Sequence, residues 1–457
     1  MPKVPSTFRL SIQERFSSGK KLREKVPRSS HATWAPPRNR PDTIELLKAS
    51  DQGRLTALLP IRYARMRESP FAFLRGAAAV MAADLASTPI TRIHVQASGD
   101  CHVANFGGFA TPERQLVFDI NDFDETLPAP WEWDVKRLAV SIVLAMRHAS
   151  IGERPARDAA RAAVEAYRTR MHEYALMTAL EVWYSHIDVN LLAKKAATKH
   201  ARKLWSRTIR KAESRTSGNE FPKIAAIRRD RPRIIDRRPL IYHPREMAAL
   251  GKAVGQIFER YKQSLSQERR IVLDRYELVD VARKVVGVGA VGTRCAVALL
   301  MAGPHDPLFL QFKEARRSVL EPYTAACRFQ NQGERVVVGQ RVLQSASDVF
   351  IGWTCDDHGH DYYFRQLRDM KLKIDFKSMS KSEWSEYVKL CGWALARAHA
   401  RTGDPARIAG YLGKNDTFDE AIEKFAVAYA DQTERDHAAL LKAIRAGRIH
   451  ANSHVAV

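Results

Sequence analysis

Apolar residues recur with a helical period through most of the first 190 residues. A spacing of three or four between apolar positions predicts helices over residues 44–58, 71–85, 131–147 and 155–184. Short apolar runs interrupt them and predict strands over 93–96 and 115–120. The first half of the chain is therefore expected to be mainly helical.

The pattern changes after about residue 241. One more helix is predicted over 244–265. It is followed by short, densely apolar runs that predict strands at 281–286, 295–300, 308–312, 349–354 and 362–367. A helix is expected among these strands near 334–343, and helical periodicity returns at 384–401 and 418–445. The order predicts an α+β fold with a helical first half and a β-rich second half.

These changes in apolar pattern and composition divide the chain into four segments. Residues 1–45 are rich in Pro, Ser and Arg and are expected to be a basic N-terminal arm. Residues 46–240 form the helical half, and 241–380 form the β-rich half. Residues 381–457 are expected to supply helices that pack back on the first half.

The positive charge is concentrated in two segments. The net charge is +23, but residues 1–40 hold 10 Lys and Arg against 2 acids, and residues 194–238 hold 16 against 4. Such segments bind polyanions by releasing counter-ions, or they are simply solvated faces. We therefore treat 194–238 as a basic insertion and as a possible polyanion contact, together with 1–40.

Five scattered cysteines carry no CxxC pair. This arrangement argues against a disulfide framework and a cysteine zinc site, and it is typical of a reducing cytoplasm. No apolar run approaches the roughly 18 residues that a membrane helix needs, so we expect a cytoplasmic protein without a membrane span.

The strongest chemical signal is an acidic loop followed by an acidic strand end. Asp100 and Asn105 lie five positions apart in a Gly- and Asn-rich loop. Asp119, Asp122 and Asp124 lie at or just after the end of the strand predicted over 115–120. Phosphoryl transfer uses one Asp to orient the attacking hydroxyl, and an Asn and a second Asp to hold Mg²⁺. The alternative is a surface loop in which Asp and Asn cap turns.

A second signal is the G-x-G-x-x-G motif at Gly287, Gly289 and Gly292. Such a motif either opens a helix in a dinucleotide-binding fold or bends between two strands over ATP in a kinase. Lys313 lies in the next largely apolar strand, where a lysine requires a partner or a function. This lysine favours the kinase interpretation, with Glu334 as its candidate partner and Glu321 as the competitor.

The order of these motifs is the reverse of that in a kinase, where the glycine loop comes first. The run from Cys391 to Arg401 resembles the helix that precedes the catalytic loop in aminoglycoside and choline kinases. If the ends of such a kinase were joined and the chain were cut before the catalytic loop, this order would result. We therefore expect a circularly permuted, two-lobed, protein-kinase-like fold.

Longer motifs resemble a bacterial family. The stretches 69–76, 99–107, 117–128, 131–138 and 429–436 are similar to those of the bacterial domain-of-unknown-function family 2252, and the likeness runs from about residue 25 to 450. This resemblance is the more specific one, and it carries no established reaction. The kinase resemblance rests on shorter motifs.

The kinase resemblance implies a role for each matching residue. Asp100 would be the catalytic base, and Asn105 and Asp122 would bind Mg²⁺, with Asp119 as the rival of Asp122. Lys313 would hold the phosphates of ATP beneath the three glycines. Asp134 would brace the catalytic loop, and Arg75 would either clamp a phosphate or pair with an acid.

The sequence thus favours an ATP- and Mg²⁺-dependent phosphotransferase that acts on a small molecule or a protein. Nucleotidyl transfer on the same fold is a variant that sequence does not separate. A non-catalytic nucleotide- or polyanion-binding protein is the first alternative. A dinucleotide-binding oxidoreductase is the second, although no second βαβ unit is apparent in the sequence.

Overall fold

The structure is a computed structural model that describes residues 10–195, 199–244, 247–367, 370–372, 375–376 and 378–451. Residues 1–9 of the expected arm, 196–198 of the insertion and 245–246 of the helix predicted over 244–265 lie outside these ranges. Helices and strands both contribute to the fold, as expected for an α+β protein.

The first half is mainly helical and carries short strand pairs. Its helices are α1 Ile12–Lys25, α2 Thr43–Asp51, α3 Leu59–Met66, α4 Pro70–Gly76, α5 Ala78–Leu85, α6 Trp131–His148, α7 Glu153–Tyr174, α8 Ala179–Tyr184, α9 Val189–Lys195, α10 Lys199–Glu213 and α11 Ser217–Ile224. Its strands are β1 His94–Ala97, β2 Phe106–Ala110, β3 Leu116–Ile120, β4 Leu127–Pro130, β5 Ala225–Arg228 and β6 Arg231–Ile234.

The second half holds the main sheet and the closing helices. Its strands are β7 Ile241–Tyr242, β8 Glu277–Lys284, β9 Cys295–Met301, β10 Pro307–Ala315, β11 Gly352–Cys355 and β12 Asp361–Gln366. Its helices are α12 Met247–Gln263, α13 Gln267–Leu273, α14 Gln332–Leu343, α15 Lys381–Ala400, α16 Pro405–Leu412 and α17 Thr417–Arg445.

Three of the predicted helices are divided in the structure. The helix expected over 44–58 ends at Asp51, because Gly53 follows with a positive φ of 77°. The helix expected over 71–85 divides into α4 and α5 at Ala77, and that expected over 155–184 divides into α7 and α8. Thr178 begins α8 by accepting the Glu181 N–H in a capping box.

The largest core joins the two ends of the chain. Helices α6 and α7 pack against α15, α16 and α17, and Trp131 stacks on Tyr167 with 5.7 Å between ring centroids. Trp384, Phe418 and other buried residues of the closing helices complete this core. The closing segment therefore packs on the first half, which gives the acidic loop between β1 and β2 a rigid base.

The six strands that the described residues place in the main sheet are antiparallel, in the order β11–β12–β10–β9–β8–β7. One face packs on α12 through Tyr261, which stacks on Phe364 at 4.0 Å between centroids. Strands β8, β9 and β10 are consecutive in the chain and in the sheet. The glycine motif lies between β8 and β9, and Lys313 lies on β10.

The basic insertion covers the other face of the sheet. Ile224 and Ile234 are buried against Leu299 and Phe309, and the Phe221 ring lies 6.4 Å from that of Phe309. The part of 194–238 that the structure describes is thus folded onto the β-rich half, and the arginines of its β5–β6 hairpin are exposed.

The N-terminal segment, expected to be a basic arm, is a docked helix over its described part. Helix α1 crosses α16 so closely that a Cβ on Gly19 would lie 2.0 Å from the carbonyl oxygen of Arg407. Beyond α1, the buried His31 bonds the hydroxyl of Tyr411 at 2.7 Å. Some cations of this segment form internal ion pairs. Arg40, for example, contacts the buried carboxylates of Asp84 and Asp436.

No helix within the described ranges is long and apolar enough to cross a membrane.

Candidate active site

A buried carboxylate holds the acidic loop between β1 and β2. Asp134, at the start of α6, accepts the N–H groups of Ser98 at 2.7 Å and Gly99 at 3.0 Å. His399 of α15 contacts Asp134 Oδ2, the oxygen that also accepts the Ser98 N–H, at 3.2 Å. Gly99 has a φ of 81°, and a Cβ there would lie 2.4 Å from the carbonyl oxygen of Glu125. The loop conformation therefore depends on a buried carboxylate and on glycine.

Asp100 is held in place at the tip of this loop. Arg137 donates its Nε–H to Asp100 Oδ1 at 2.7 Å, while Asn105 donates its amide N–H to the Asp100 carbonyl at 2.8 Å. His102 is buried close by, with its Nε2 at 3.9 Å from Asp100 Oδ2. Burial, assisted by the positive charges of Arg75 and Arg137, holds the pKa of His102 well below its usual value, which keeps the ring neutral.

Two aspartates after β3 meet the lysine of β10. Lys313, only 2% exposed, forms an ion pair with Asp124, and its Nζ lies 3.9 Å from Asp122. Tyr363 donates its hydroxyl to Asp124 at 2.6 Å. Burial lowers the pKa of Lys313, but the two carboxylates outweigh burial and hold it well above its usual value.

The two aspartates respond differently to their surroundings. Burial and the nearby charge of Asp124 raise the pKa of Asp122. For Asp124, burial acts in the same direction, but the ion pair with Lys313 outweighs it and lowers the pKa. Asp124 has direct contacts with Lys313 and Tyr363, whereas Asp122 lies 3.9 Å from the lysine, so Asp122 is the carboxylate with fewer direct contacts to this group.

Asp119, the sequence rival of Asp122, lies elsewhere. It is fully buried, pairs with Arg397 of α15 at 2.8 Å and accepts the Ser345 N–H at 2.8 Å. Arg397 of α15 and Ser345, just after α14, hold the Asp119 carboxylate within the core, whereas Asp122 follows the end of β3. The Asp119 carboxylate joins elements of the core, and Asp122 is the residue that lines the cleft.

Residues 285–294 carry the glycine motif, and we call them the glycine segment. They join the antiparallel strands β8 and β9 and lie over the acidic loop. A Cβ on Gly289 would lie 3.1 Å from the Arg75 carbonyl oxygen and 4.0 Å from Asp100 Oδ2. Arg54 donates to the carbonyl of Gly289 at 2.9 Å. Gly292, with a φ of 93°, lies behind the segment against Arg54, whereas a Cβ on Gly287 would meet nothing within 4 Å.

These parts line one cleft of about 390 Å³, a size that suits a small ligand. The residues singled out from sequence that line it are Arg75, Asp100, Asn105, Asp122, Asp124, Gly287, Gly289 and Lys313. Asp119 and Glu334 are not among its lining residues. Glu334 is in the first turn of α14, where its N–H is capped by Asn331, and the carboxylates that contact Lys313 are Asp122 and Asp124.

Arg335 positions this site but was not predicted from the sequence. Arg335 of α14 is buried and donates to the carbonyls of Thr126 at 2.7 Å, Asp124 at 2.8 Å and Arg316 at 2.7 Å. It ties the acidic strand end to the strand that carries Lys313. A charged residue inside the apolar helix predicted over 334–343 was the available signal, but its partners are distant in the chain.

Arg75 faces the cleft from α4. Its guanidinium lies 5.8 Å from the ring centroid of Phe71, and its Nε is buried without a hydrogen-bond partner among the described residues. Burial lowers its pKa, although the charges of Asp100 and Asp122 oppose that effect. Neither acid forms an ion pair with Arg75, which leaves the guanidinium available to an anionic ligand.

Oxygen ligands for a hard cation are present in the cleft. Asn105, Asp122 and Asp124 line it together, and Mg²⁺ is usually held by one or two carboxylates plus the phosphates of a substrate. Groups of three or more His, Cys, Asp or Glu side chains arranged to bind a metal do not occur in the portion of the chain that the structure describes. Asn105 and Asp122 could therefore hold a hard cation only together with ligands from another source.

Comparison with known families identifies the class of chain. The model of a family described as uncharacterized proteins conserved in bacteria (DUF2252) matches residues 54–443. The chain belongs to this family, as the resemblance of its motifs indicated. Comparisons with curated proteins and with solved structures gave no match.

Proposed function

We propose that the protein is an ATP- and Mg²⁺-dependent phosphotransferase with a kinase-like, circularly permuted fold. Its acceptor is a small molecule or a protein. The observation that carries the proposal is that Asp100, Asn105 and Asp122 line the same cleft as Gly289 and Lys313, although members of the two sets lie 167 to 213 positions apart in the sequence.

The order of parts in the β-rich half supports this proposal. The glycine segment joins β8 to β9, Lys313 lies on the next strand, β10, and helix α14 follows that strand. Kinases place their glycine loop, their phosphate-binding lysine and a helix in this sequence. A dinucleotide fingerprint would instead lead from a strand into a helix, and Gly292 leads into β9.

Each lining residue has a task in this proposal. Asp100, oriented by Arg137 and by the loop that Asp134 holds, accepts a proton from the acceptor hydroxyl. Asn105 and Asp122 would hold Mg²⁺, which would neutralise charge on the phosphates of the nucleotide. Lys313 would contact those phosphates beneath the glycine segment.

The first test is nucleotide binding, measured as a thermal shift with ATP in the presence and absence of Mg²⁺. Because a ligand that binds the folded state raises the melting temperature, we expect a Mg²⁺-dependent rise for the wild type. Asp122→Asn and Lys313→Met should each reduce that rise. Lys262→Met and Asp306→Asn change the same residue types outside the cleft and serve as matched controls.

Each variant is compared with its own ligand-free melting temperature, so that a change in stability is not mistaken for lost binding. A wild type that melts cooperatively but shows no rise with Mg²⁺ and ATP would refute the proposal. A rise that persists in both cleft variants would show that the nucleotide binds elsewhere.

A non-catalytic nucleotide-binding protein is the second candidate. It is favoured by the ion pair between Asp100 and Arg137, which already occupies one oxygen of the carboxylate that the reaction requires. Turnover separates the two functions, because a phosphotransferase should release ADP at a rate that Asp100→Asn lowers by at least tenfold. Mg²⁺-dependent binding without turnover in the presence of a broad acceptor panel would favour the non-catalytic function.

A further inference from the structure

Large apolar side chains are exposed together on one short stretch of the first half. Leu176 is 77% exposed, Leu180 64% and Tyr184 71%, and Trp183 and Leu191 are also exposed. We call residues 176–191 the apolar patch. Such clustering is unusual, because exposed apolar residues of a soluble fold are normally scattered singly, and a contiguous patch marks an interaction surface.

The backbone that carries the apolar patch is fixed to the core and to β3. Val182, Ile187 and Val189 alternate with the exposed residues and are buried in the main core. The Phe118 N–H of β3 donates to the carbonyl of Ile187 at 2.9 Å. Because inward and outward side chains alternate on backbone that is tied to β3, the outward apolar residues are part of the folded surface.

Positive charge borders the patch on one side. Lys194 and Lys195 follow Leu191 by three and four residues on α9, which places them on the same helix face. Helix α10 contacts α9 and exposes further basic residues, Arg202, Arg207, Arg210 and Lys211.

The two acids of the patch accept hydrogen bonds from nearby backbone N–H groups. Glu181 accepts the Thr178 N–H at 2.7 Å, and Asp188 accepts the Asn190 N–H at 2.7 Å. Both carboxylates cap helix starts and keep their negative charge, so the positive charge near this face comes from the lysines and arginines of α9 and α10 that follow the patch.

We propose that this face docks on the surface of an anionic lipid bilayer. Leu side chains would enter the boundary of the acyl chains, Trp and Tyr are the residues that favour the headgroup level, and Lys and Arg attract anionic headgroups. A second copy of the chain is the competing occupant, and the oligomeric state in solution tests it. The proposal is independent of the nucleotide site.

Sedimentation of the full-length protein with vesicles tests this proposal. Vesicles of phosphatidylcholine alone are compared with vesicles that contain 30% phosphatidylglycerol, at about 0.1 M salt. We expect binding only to the anionic vesicles. Leu180→Glu with Tyr184→Glu should weaken it by about tenfold or more, and so should Lys194→Glu with Lys195→Glu.

Two double variants elsewhere on the surface control for the chemistry of the changes. Ile271→Glu with Val272→Glu replaces apolar residues of α13 that are also exposed, and Lys442→Glu with Arg445→Glu reverses exposed charges of α17. Both should bind vesicles as the wild type does, and circular dichroism should show that all four variants are folded.

Three results would overturn the proposal. The first is a wild type that does not sediment with anionic vesicles. The second is an equal loss of binding in the control variants. The third is a wild-type dimer in light scattering that Leu180→Glu with Tyr184→Glu converts to a monomer, which would assign the patch to a second copy.

Discussion

Two aspartates of the same strand end have different tasks. Asp119 is buried in an ion pair with Arg397, while Asp122 is partly exposed in the cleft beside Lys313. Removal of one partner of a buried pair leaves an uncompensated charge in the core and costs about 3 to 5 kcal/mol. Removal of a carboxylate at a cleft wall leaves no such orphan.

We therefore expect opposite phenotypes from two isosteric changes. Asp119→Asn should lower the free energy of unfolding by about 3 to 5 kcal/mol, measured by urea denaturation. Asp122→Asn should change the stability by less than about 1 kcal/mol and act on Mg²⁺-dependent nucleotide binding. Equal stability losses in the two variants would contradict this division of tasks.

A buried lysine makes stability depend on pH. Lys136 is fully buried on α6, with its Nζ 5.0 Å from the ring centroid of Phe425. Burial, opposed by Glu132, lowers its pKa to about 7. Between pH 7 and about 10.4 the unfolded chain holds a proton that the folded chain has lost. Unfolding thus takes up a proton, and the free energy of unfolding gains a contribution that rises with pH.

Lys136→Met should remove that contribution. The difference in unfolding free energy, wild type minus variant, is expected to rise by about 1.4 kcal/mol per pH unit above pH 7. Urea denaturation at pH 7, 8 and 9 at one ionic strength measures it. Lys389→Met, a change at a largely exposed lysine, is the control and should give a difference that does not vary with pH. A flat difference for Lys136→Met as well would show that the lysine remains charged when buried.

Regular elements were predictable because their signals are local. Helices α6, α15 and α17 and strands β3, β9 and β12 occur within a few residues of the predicted ranges. Apolar periodicity, capping residues and breakers act over one or two turns, so a single sequence carries them.

The sequence did not predict which residues from distant segments contact each other. The partner of Lys313 is Asp124, which follows a strand of the other half, and not the expected Glu334. The α14 residue that reaches the site is Arg335, which donates to backbone carbonyls. The docking of α1 depends on two glycines, Gly19 and Gly410, that lie in different helices. Such choices are made by tertiary geometry, which composition and periodicity do not encode.

The close crossing of α1 and α16 predicts that a glycine-to-alanine change within a helix lowers the stability of the protein. A Cβ on Gly410 would lie 2.1 Å from the carbonyl oxygen of Phe16, and backbone does not yield as a flexible side chain does. Gly410→Ala should therefore destabilise the protein by about 1 to 3 kcal/mol, although Ala is the better helix former. Hydrogen exchange should show faster opening of 12–25.

Gly255→Ala is the matched control, because this glycine of α12 would place its Cβ in open space. It should stabilise the protein by up to about 1 kcal/mol through helix propensity alone. A Gly410→Ala variant that is stabilised to the same extent would show that α1 and α16 do not cross closely.

At the scale of the whole molecule, the two ends of the chain share a core. Trp384, Leu395, Phe418 and Phe425 of the closing helices are buried with residues of α6 and α7. Each such side chain contributes about 1.5 to 3 kcal/mol by burial, and a domain retains only about 5 to 15 kcal/mol of net stability. The first half is therefore not expected to fold without residues 381–451.

A chain that ends at Ser380 tests this dependence. Because it would expose the apolar faces of α6 and α7, we expect it to be insoluble or to bind a hydrophobic dye without a cooperative melting transition. Co-expression of residues 381–457 as a separate chain should restore a soluble one-to-one complex, since the contacts need proximity and not covalent continuity. A 1–380 chain that is monomeric and melts cooperatively by itself would show that the halves are independent. That result would also weaken the permuted arrangement, in which the last helices complete the lobe that the first helices begin.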